Sequence, residues 1–211
     1  MSKILALLFI LPLSLFSSQV GTNFLSLGVG FADEDLKIND VTISGDLTSY
    51  GLGYNHNLYL LEDKYGLDVG GSLGMVEGDI LNIDIESFGY SVGLSPFLKV
   101  DDTSLFAFAN YSWSETDYIN TTTSAKTTLD NDSFIGGFGF QSVLNKLIFG
   151  ASLSFPEDAT NLGAGVSYKI AEDYTIGVGF GLYDSDPQTA NNGIIFETER
   201  RYFGLELTYS L

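Results

Sequence analysis

The stretch Tyr174-Thr175-Ile176-Gly177-Val178-Gly179-Phe180-Gly181-Leu182 decides how this chain folds. Ile176, Val178, Phe180 and Leu182 alternate strictly with Gly177, Gly179 and Gly181. A period of two belongs to a β-strand with one apolar face. The glycines invite a phosphate-loop reading, but they stay within the alternation and open no helix, so that reading lacks its structural context.

The same row recurs along the chain. Leu25, Leu27, Val29 and Phe31 alternate with Ser26, Gly28 and Gly30, and Phe88, Tyr90, Val92 and Leu94 with Gly89, Ser91 and Gly93. Phe134, Phe138 and Phe140 oppose Ile135, Gly137, Gly139 and Gln141. Comparable rows run through 50–54, 67–75, 105–113, 147–155, 162–168 and 203–211, giving ten candidate strands. Each is long enough for the roughly nine to eleven residues that a tilted membrane strand needs. Eight is the alternative, if the rows at 147–155 and 162–169 fold otherwise.

The direction of the alternation separates a membrane barrel from a soluble one. A soluble barrel turns its apolar row inward and shows Lys, Glu, Thr and Gln to water. Here the second row is mainly Gly and Ser, which suit a narrow interior. The apolar rows carry aromatics near their ends (Phe31, Tyr50, Trp113, Phe155 and Tyr209 among them), as interfacial girdles do. The expectation is an all-β, antiparallel up-and-down transmembrane barrel with lipid outside and small polar residues inside.

Composition agrees once the charges are located. The 211 residues carry 27 acidic against nine basic side chains, a net charge of −18, yet 45% are hydrophobic. So acidic a chain has no basic stripe for nucleic acid, and its hydrophobicity argues against disorder. The lack of cysteine removes disulfides, thiolate catalysis and cysteine metal sites. Met1-Ser2-Lys3, the apolar run Ile4 to Phe16 and then Ser17-Ser18-Gln19 have the order of a secretory leader. The run is too short to span a bilayer as a helix. A cleaved leader over residues 1–20 and a barrel over 21–211 are therefore expected, with export to the bacterial outer membrane.

With the N-terminus inside, the outward connections are 32–47, 77–84, 115–132, 156–161 and 184–200, and the inner turns near 59–64, 100–103, 143–146 and 170–173 are tight. Two-thirds of the 27 acids fall in or beside the outward segments. Asp33-Glu34-Asp35 and the Thr-rich 121–128 read as solvated, mobile loops. Asp68, Glu86 and Glu206 fall in the strands, and with Gln141 and Arg201 (or Arg200) at the rim they are expected to form an interior polar network.

On these rows the chain resembles the small bacterial outer-membrane barrels of the OmpA, OmpX and opacity-protein kind, over residues 23–211. The most specific piece is the end, with Tyr202, Gly204, Leu205, Leu207, Tyr209 and Leu211 in alternation. It looks like the terminal strand that the barrel-assembly machinery reads, although it closes on leucine rather than phenylalanine. The resemblance implies membrane lipid and lipopolysaccharide as surroundings, that machinery as a partner in biogenesis, a monomer, and no cofactor or metal.

Barrels of this size that are enzymes use a histidine base near the outer leaflet. The one histidine, His56 in Tyr54-Asn55-His56-Asn57, falls at the inner end of the second strand, so no catalytic residue is assigned. The expected role is structural or surface-interacting, with acidic segments held outward. A small diffusion channel is the alternative, and a lipid-active enzyme a more distant one.

Overall fold

A sheet in lipid must satisfy every backbone N–H and C=O within itself, so strands that face lipid have to close on themselves. The computed structural model describes residues 20–38, 41–157, 159–189 and 195–211. The strands are β1 (Phe24–Ile38), β2 (Val41–Leu61), β3 (Tyr65–Ile80), β4 (Ile83–Val100), β5 (Thr103–Asn120) and β6 (Lys126–Leu144). β7 (Leu147–Phe155), β8 (Ala159–Lys169), β9 (Tyr174–Ser185), β10 (Gln188–Thr189) and β11 (Ile195–Ser210) follow. Neighbours pair antiparallel, β9 passes to β11, and β11 pairs with β1 over its whole length, closing a ten-stranded barrel. β10 is a two-residue addition to the outer end of β11. The rows at 147–155 and 162–168 are strands of the wall, which rules out the eight-strand alternative.

The register fixes the tilt. Stepping between paired residues from Gly139 through Ser152, Gly163, Gly181, Tyr202 and Ala32 leads on to Leu47, Gly78, Ile85 and Tyr118, and returns to β6 at Thr127. The offset from 139 to 127 is a shear of twelve residues. With ten strands this corresponds to a tilt of about 40° from the axis, ordinary for a closed barrel.

Both faces fall as the alternation requires. Leu27, Leu52, Val92, Phe138 and Phe180 point outward and are 49–61% exposed. Ser26, Ser152, Ser167, Thr175 and Thr208 point inward and are buried. An apolar exterior this continuous is a lipid-facing surface, and it excludes the soluble barrel. Inside, hydroxyls satisfy one another across strands: Ser72 with Ser91 at 2.8 Å, Ser87 with Thr116 at 2.6 Å, and Ser112 with Ser133 at 2.9 Å. Glycine leaves room for the inner aromatics. A Cβ at Gly137 would stand 2.4 Å from Phe108 Cζ, and one at Gly181 2.2 Å from Tyr202 Cζ.

The wall is uneven. β2 has 21 residues and β4 and β5 have 18, whereas β7 has nine and β8 eleven. About ten residues cross the hydrocarbon, so β1 to β6 and β11 continue well beyond it while β7 and β8 stop near its edge. The segments expected as outward loops are therefore largely strand. β1 runs to residue 38 and β2 starts at 41, the β3–β4 turn is only 81–82, and the β5–β6 turn is 121–125. That last turn is ordered by Asn120 Oδ1, which accepts from the backbone N–H of Thr122 and Thr123. A strand is the better solution because each extended hairpin pairs its own backbone, which a solvated loop would leave to water.

Candidate functional site

The outer face changes chemistry abruptly at one level. Along the outward-facing row, Phe31 is followed by Asp33, Met75 by Glu77, Trp113 by Glu115 and Leu182 by Asp184, each two residues further from the membrane. On descending strands the same step runs from Phe88 to Glu86 and from Phe134 to Asp132. Six strands thus switch from apolar or aromatic to carboxylate within one alternation step. The result is an acidic collar just above an aromatic girdle.

Register packs these acids against each other. Asp79 faces Asp84, Glu77 faces Glu86, Glu86 faces Asp117, Glu115 faces Asp130, and Glu199 stands between Asp35 and Asp184. Like charges opposite each other across a sheet are unfavourable, and the few outer cations sit where they relieve them. Lys126 reaches Asp117 at 2.7 Å, and Lys37 reaches Glu197 at 3.2 Å and Glu199 at 2.5 Å. The hydrogen bond from Lys126, then one from Thr128, holds the Asp117 carboxyl below its ordinary pKa. Hydrogen bonds to Glu199 and then Glu197 raise Lys37. Asp184, Glu197 and Glu199 bring carboxylate oxygens within 4.8 Å of one another, but the Lys37 ammonium already bonds two of them.

Inside, the expected network divides. Asp68 and Gln141 are buried near the inner mouth: Asp68 Oδ1 accepts from Asn57 Nδ2 at 2.8 Å, and Asp68 Oδ2 from the Gly21 N–H at 2.9 Å. Gln141 Oε1 accepts from the Val20 N–H at 2.8 Å. Glu206 is also buried but stands higher, on the wall of a cavity of about 170 Å³ that Ser26, Ser49, Ser72, Ser91 and Asn110 line with it. Glu86 and Arg201 point the other way and are exposed, which corrects their assignment to the interior. The reason is parity: Glu86 shares a face with Phe88, and Arg201 with Phe203. The cation inside the outer extension is Arg200, whose Nε donates to Glu34 Oε2 at 2.7 Å, with its Nη2 on the same oxygen. The guanidinium lies 5.5 Å from the Tyr183 ring centroid. Glu34 is 3% exposed, although it belongs to an acidic triplet read as a loop. Parity again carries the signal, since Glu34 follows Gly28, Gly30 and Ala32 on the inner row.

Two apolar clusters bound the lumen. Leu47, Val76, Ile80 and Ile85 pack together inside the extension, with Ala32, Ile43 and Tyr118 against them. Phe97, Phe106, Phe108 and Ile135 pack at the opposite end, against Val20. Composition alone does not announce either cluster, because each takes one or two side chains from each of several strands. His56 lies on the outer face at the inner end of β2, its ring stacked 6.4 Å from that of Tyr54.

These features define the class: an integral β-barrel of the bacterial outer-membrane kind, with a girdled apolar band and a collar beyond it. The chain matches no family profile and no curated protein sequence. It is similar in fold to the outer-membrane protease OmpT from Escherichia coli, at TM-score 0.51 and 9% identity, covering 92% of this chain and 98% of that one. Weaker likenesses are to the neisserial surface protein A, at TM-score 0.40 and 10% identity over 86% of this chain and 95% of that one. Ail of Yersinia pestis follows at 0.37 and 13%, over 88% and 99%. At such identities the likeness is one of fold, and a fold hosts many functions.

Proposed function

We propose that this protein is a non-catalytic outer-membrane barrel whose task is to hold an acidic wall at the cell surface, among lipopolysaccharide headgroups. The collar carries this reading. Its carboxylates begin two residues beyond the last lipid-facing side chain on six strands, where the phosphate-bearing part of lipopolysaccharide lies. Oxygen-rich, anionic surfaces on both sides call for divalent cations between them, and carboxylates suit Mg²⁺ and Ca²⁺. Barrel and lipopolysaccharide should therefore remain together in Mg²⁺ and separate in EDTA. The fourfold change Glu77→Gln, Asp79→Asn, Asp84→Asn, Glu86→Gln should abolish that Mg²⁺ dependence. Equal association with and without Mg²⁺ in the unchanged protein would sink the reading.

The non-catalytic part is supported by the position of His56, at the inner end and turned to the bilayer. His56→Ala should leave lipid and peptide turnover in membranes unchanged. Non-conduction is supported by the clusters above and below the cavity, and planar-bilayer recordings showing stable unitary steps would favour the channel instead. The terminal strand supports recognition by the assembly machinery, since Leu205, Leu207 and Tyr209 present one apolar face. Tyr209→Ser should lower the folded, heat-modifiable fraction in cells. One chain closes the wall by pairing β11 with β1, in keeping with a monomer.

A further inference from the structure

We propose that Val20–Asn23 is a built-in stopper that closes the inner mouth of the lumen beneath the cavity. The segment precedes β1 and crosses the mouth instead of continuing the wall. Three strands and the residue that follows β11 grip it. The Val20 N–H donates to Gln141 on β6 and the Gly21 N–H to Asp68 on β3. Asn55 Nδ2 on β2 donates to the Thr22 carbonyl at 2.9 Å, and the Asn57 N–H to Asn23 Oδ1 at 2.7 Å. The Leu211 N–H, just past β11, donates to the Asn23 carbonyl at 3.0 Å.

The Val20 side chain completes the seal. It packs against the cluster of Phe97, Phe106, Phe108 and Ile135, and Phe108 also lines the cavity. Val76 lines the cavity and belongs to the upper cluster, so apolar side chains bound the chamber at both ends. The bonding is specific to this segment, because Asp68 and Gln141 spend buried acceptors on its backbone, which any wider passage would leave to water. Gly21 makes the turn possible. Its φ is +80°, and a Cβ there would meet Phe97 Cζ at 2.8 Å and Lys99 Nζ at 3.0 Å. A β-branched residue cannot hold that backbone without strain, so Gly21→Val should dislodge the stopper while leaving every wall residue in place.

The natural absence of cysteine makes the test clean. Ser72→Cys places one thiol on the chamber wall. In the folded full barrel, a small cationic methanethiosulfonate reagent should modify it slowly, at a rate set by local opening. Adding Gly21→Val should speed modification by about tenfold or more, as expected when a protecting contact is lost. Heat-modifiable gel mobility confirms folding. Should Gly21→Val fold poorly, the pair Asp68→Ala and Gln141→Ala, which loosens the grip from the wall side, should give the same acceleration. Fast modification in the Ser72→Cys barrel alone would overturn the closure. Equal slow rates in folded barrels with and without the stopper changes would overturn the stopper. A mature chain that begins after Val20 lacks both the bond to Gln141 and the contact with the lower cluster, and would overturn the stopper. None of these outcomes bears on the collar or on lipopolysaccharide.

Discussion

The crossing band and the extension above it follow opposite polarity rules on the same strands. β3 shows the inversion most directly. In the band its outward residues are Leu73 and Met75 and its inward ones Ser72 and Gly74. Two residues on, the outward ones are Glu77 and Asp79 and the inward ones Val76 and Ile80, both 5% exposed. Backbone, register and pairing partner do not change; only the solvent does. Lipid rewards an apolar exterior and leaves the interior to small polar groups, whereas water rewards a charged exterior and an apolar core. β7 and β8 never enter the second regime, and Ile148 near the inner turn is their buried large apolar side chain.

The largest test of this inversion is the one buried ion pair of the extension interior among the described residues. Glu34→Ala leaves Arg200 enclosed without its carboxylate and should cost about 3–5 kcal/mol, read from unfolding in detergent micelles. Replacing both partners, Glu34→Leu with Arg200→Met, should recover most of that loss. Next, Ile85→Ala, at a site 2% exposed, should cost about 2–5 kcal/mol because no lipid can fill the cavity. The same truncation on the lipid face, Ile176→Ala, should cost clearly less. If the two match, the upper cluster is not a core.

A charge walked along the outer face of β3 locates the boundary between the regimes. Leu73→Arg lies in the band and should cost about 2–4 kcal/mol. Glu77→Arg, two alternation steps higher, should be near neutral, since it also relieves Glu77 facing Glu86. The smallest effect belongs to the collar pair of exposed Lys126 and half-buried Asp117. Asp117 is held below its ordinary pKa in the folded state, so its contribution is present above the ordinary carboxylate pKa and is lost as pH falls through the lowered value. The thermal midpoints of the unchanged protein and Lys126→Ala should differ slightly at neutral pH and converge in acid. A difference that persists in acid would assign the contact to packing.

Much of this was legible in the residues. Ten apolar rows became ten wall strands, and the lipid-facing side of each was the one the alternation indicated, because side-chain facing in a strand is local and has a period of exactly two residues. Parity, followed one step further, also places Glu34 and Arg200 inside and Glu86 and Arg201 outside. Reading 32–47 and 77–84 as loops broke that count too early, since acidic residues resemble loop residues when their strand extends into water. Residues 1–19, which carry most of the expected leader, lie outside the described residues, and Val20, placed in that leader by the sequence, is seated in the barrel mouth.

By itself the sequence determined the strand pattern, the lipid-facing rows and the acidic exterior, all of which follow from periodicity and from the cost of charge in hydrocarbon. Only the tertiary structure decided what the lumen is. The shear of twelve residues brings Arg200 beside Glu34, 166 positions away, and gathers the upper and lower clusters from strands that share no local signal. It also carries Val20 to Gln141 across 121 positions of chain. Contacts of that range exist only after the wall has closed, so no local pattern of residues records them.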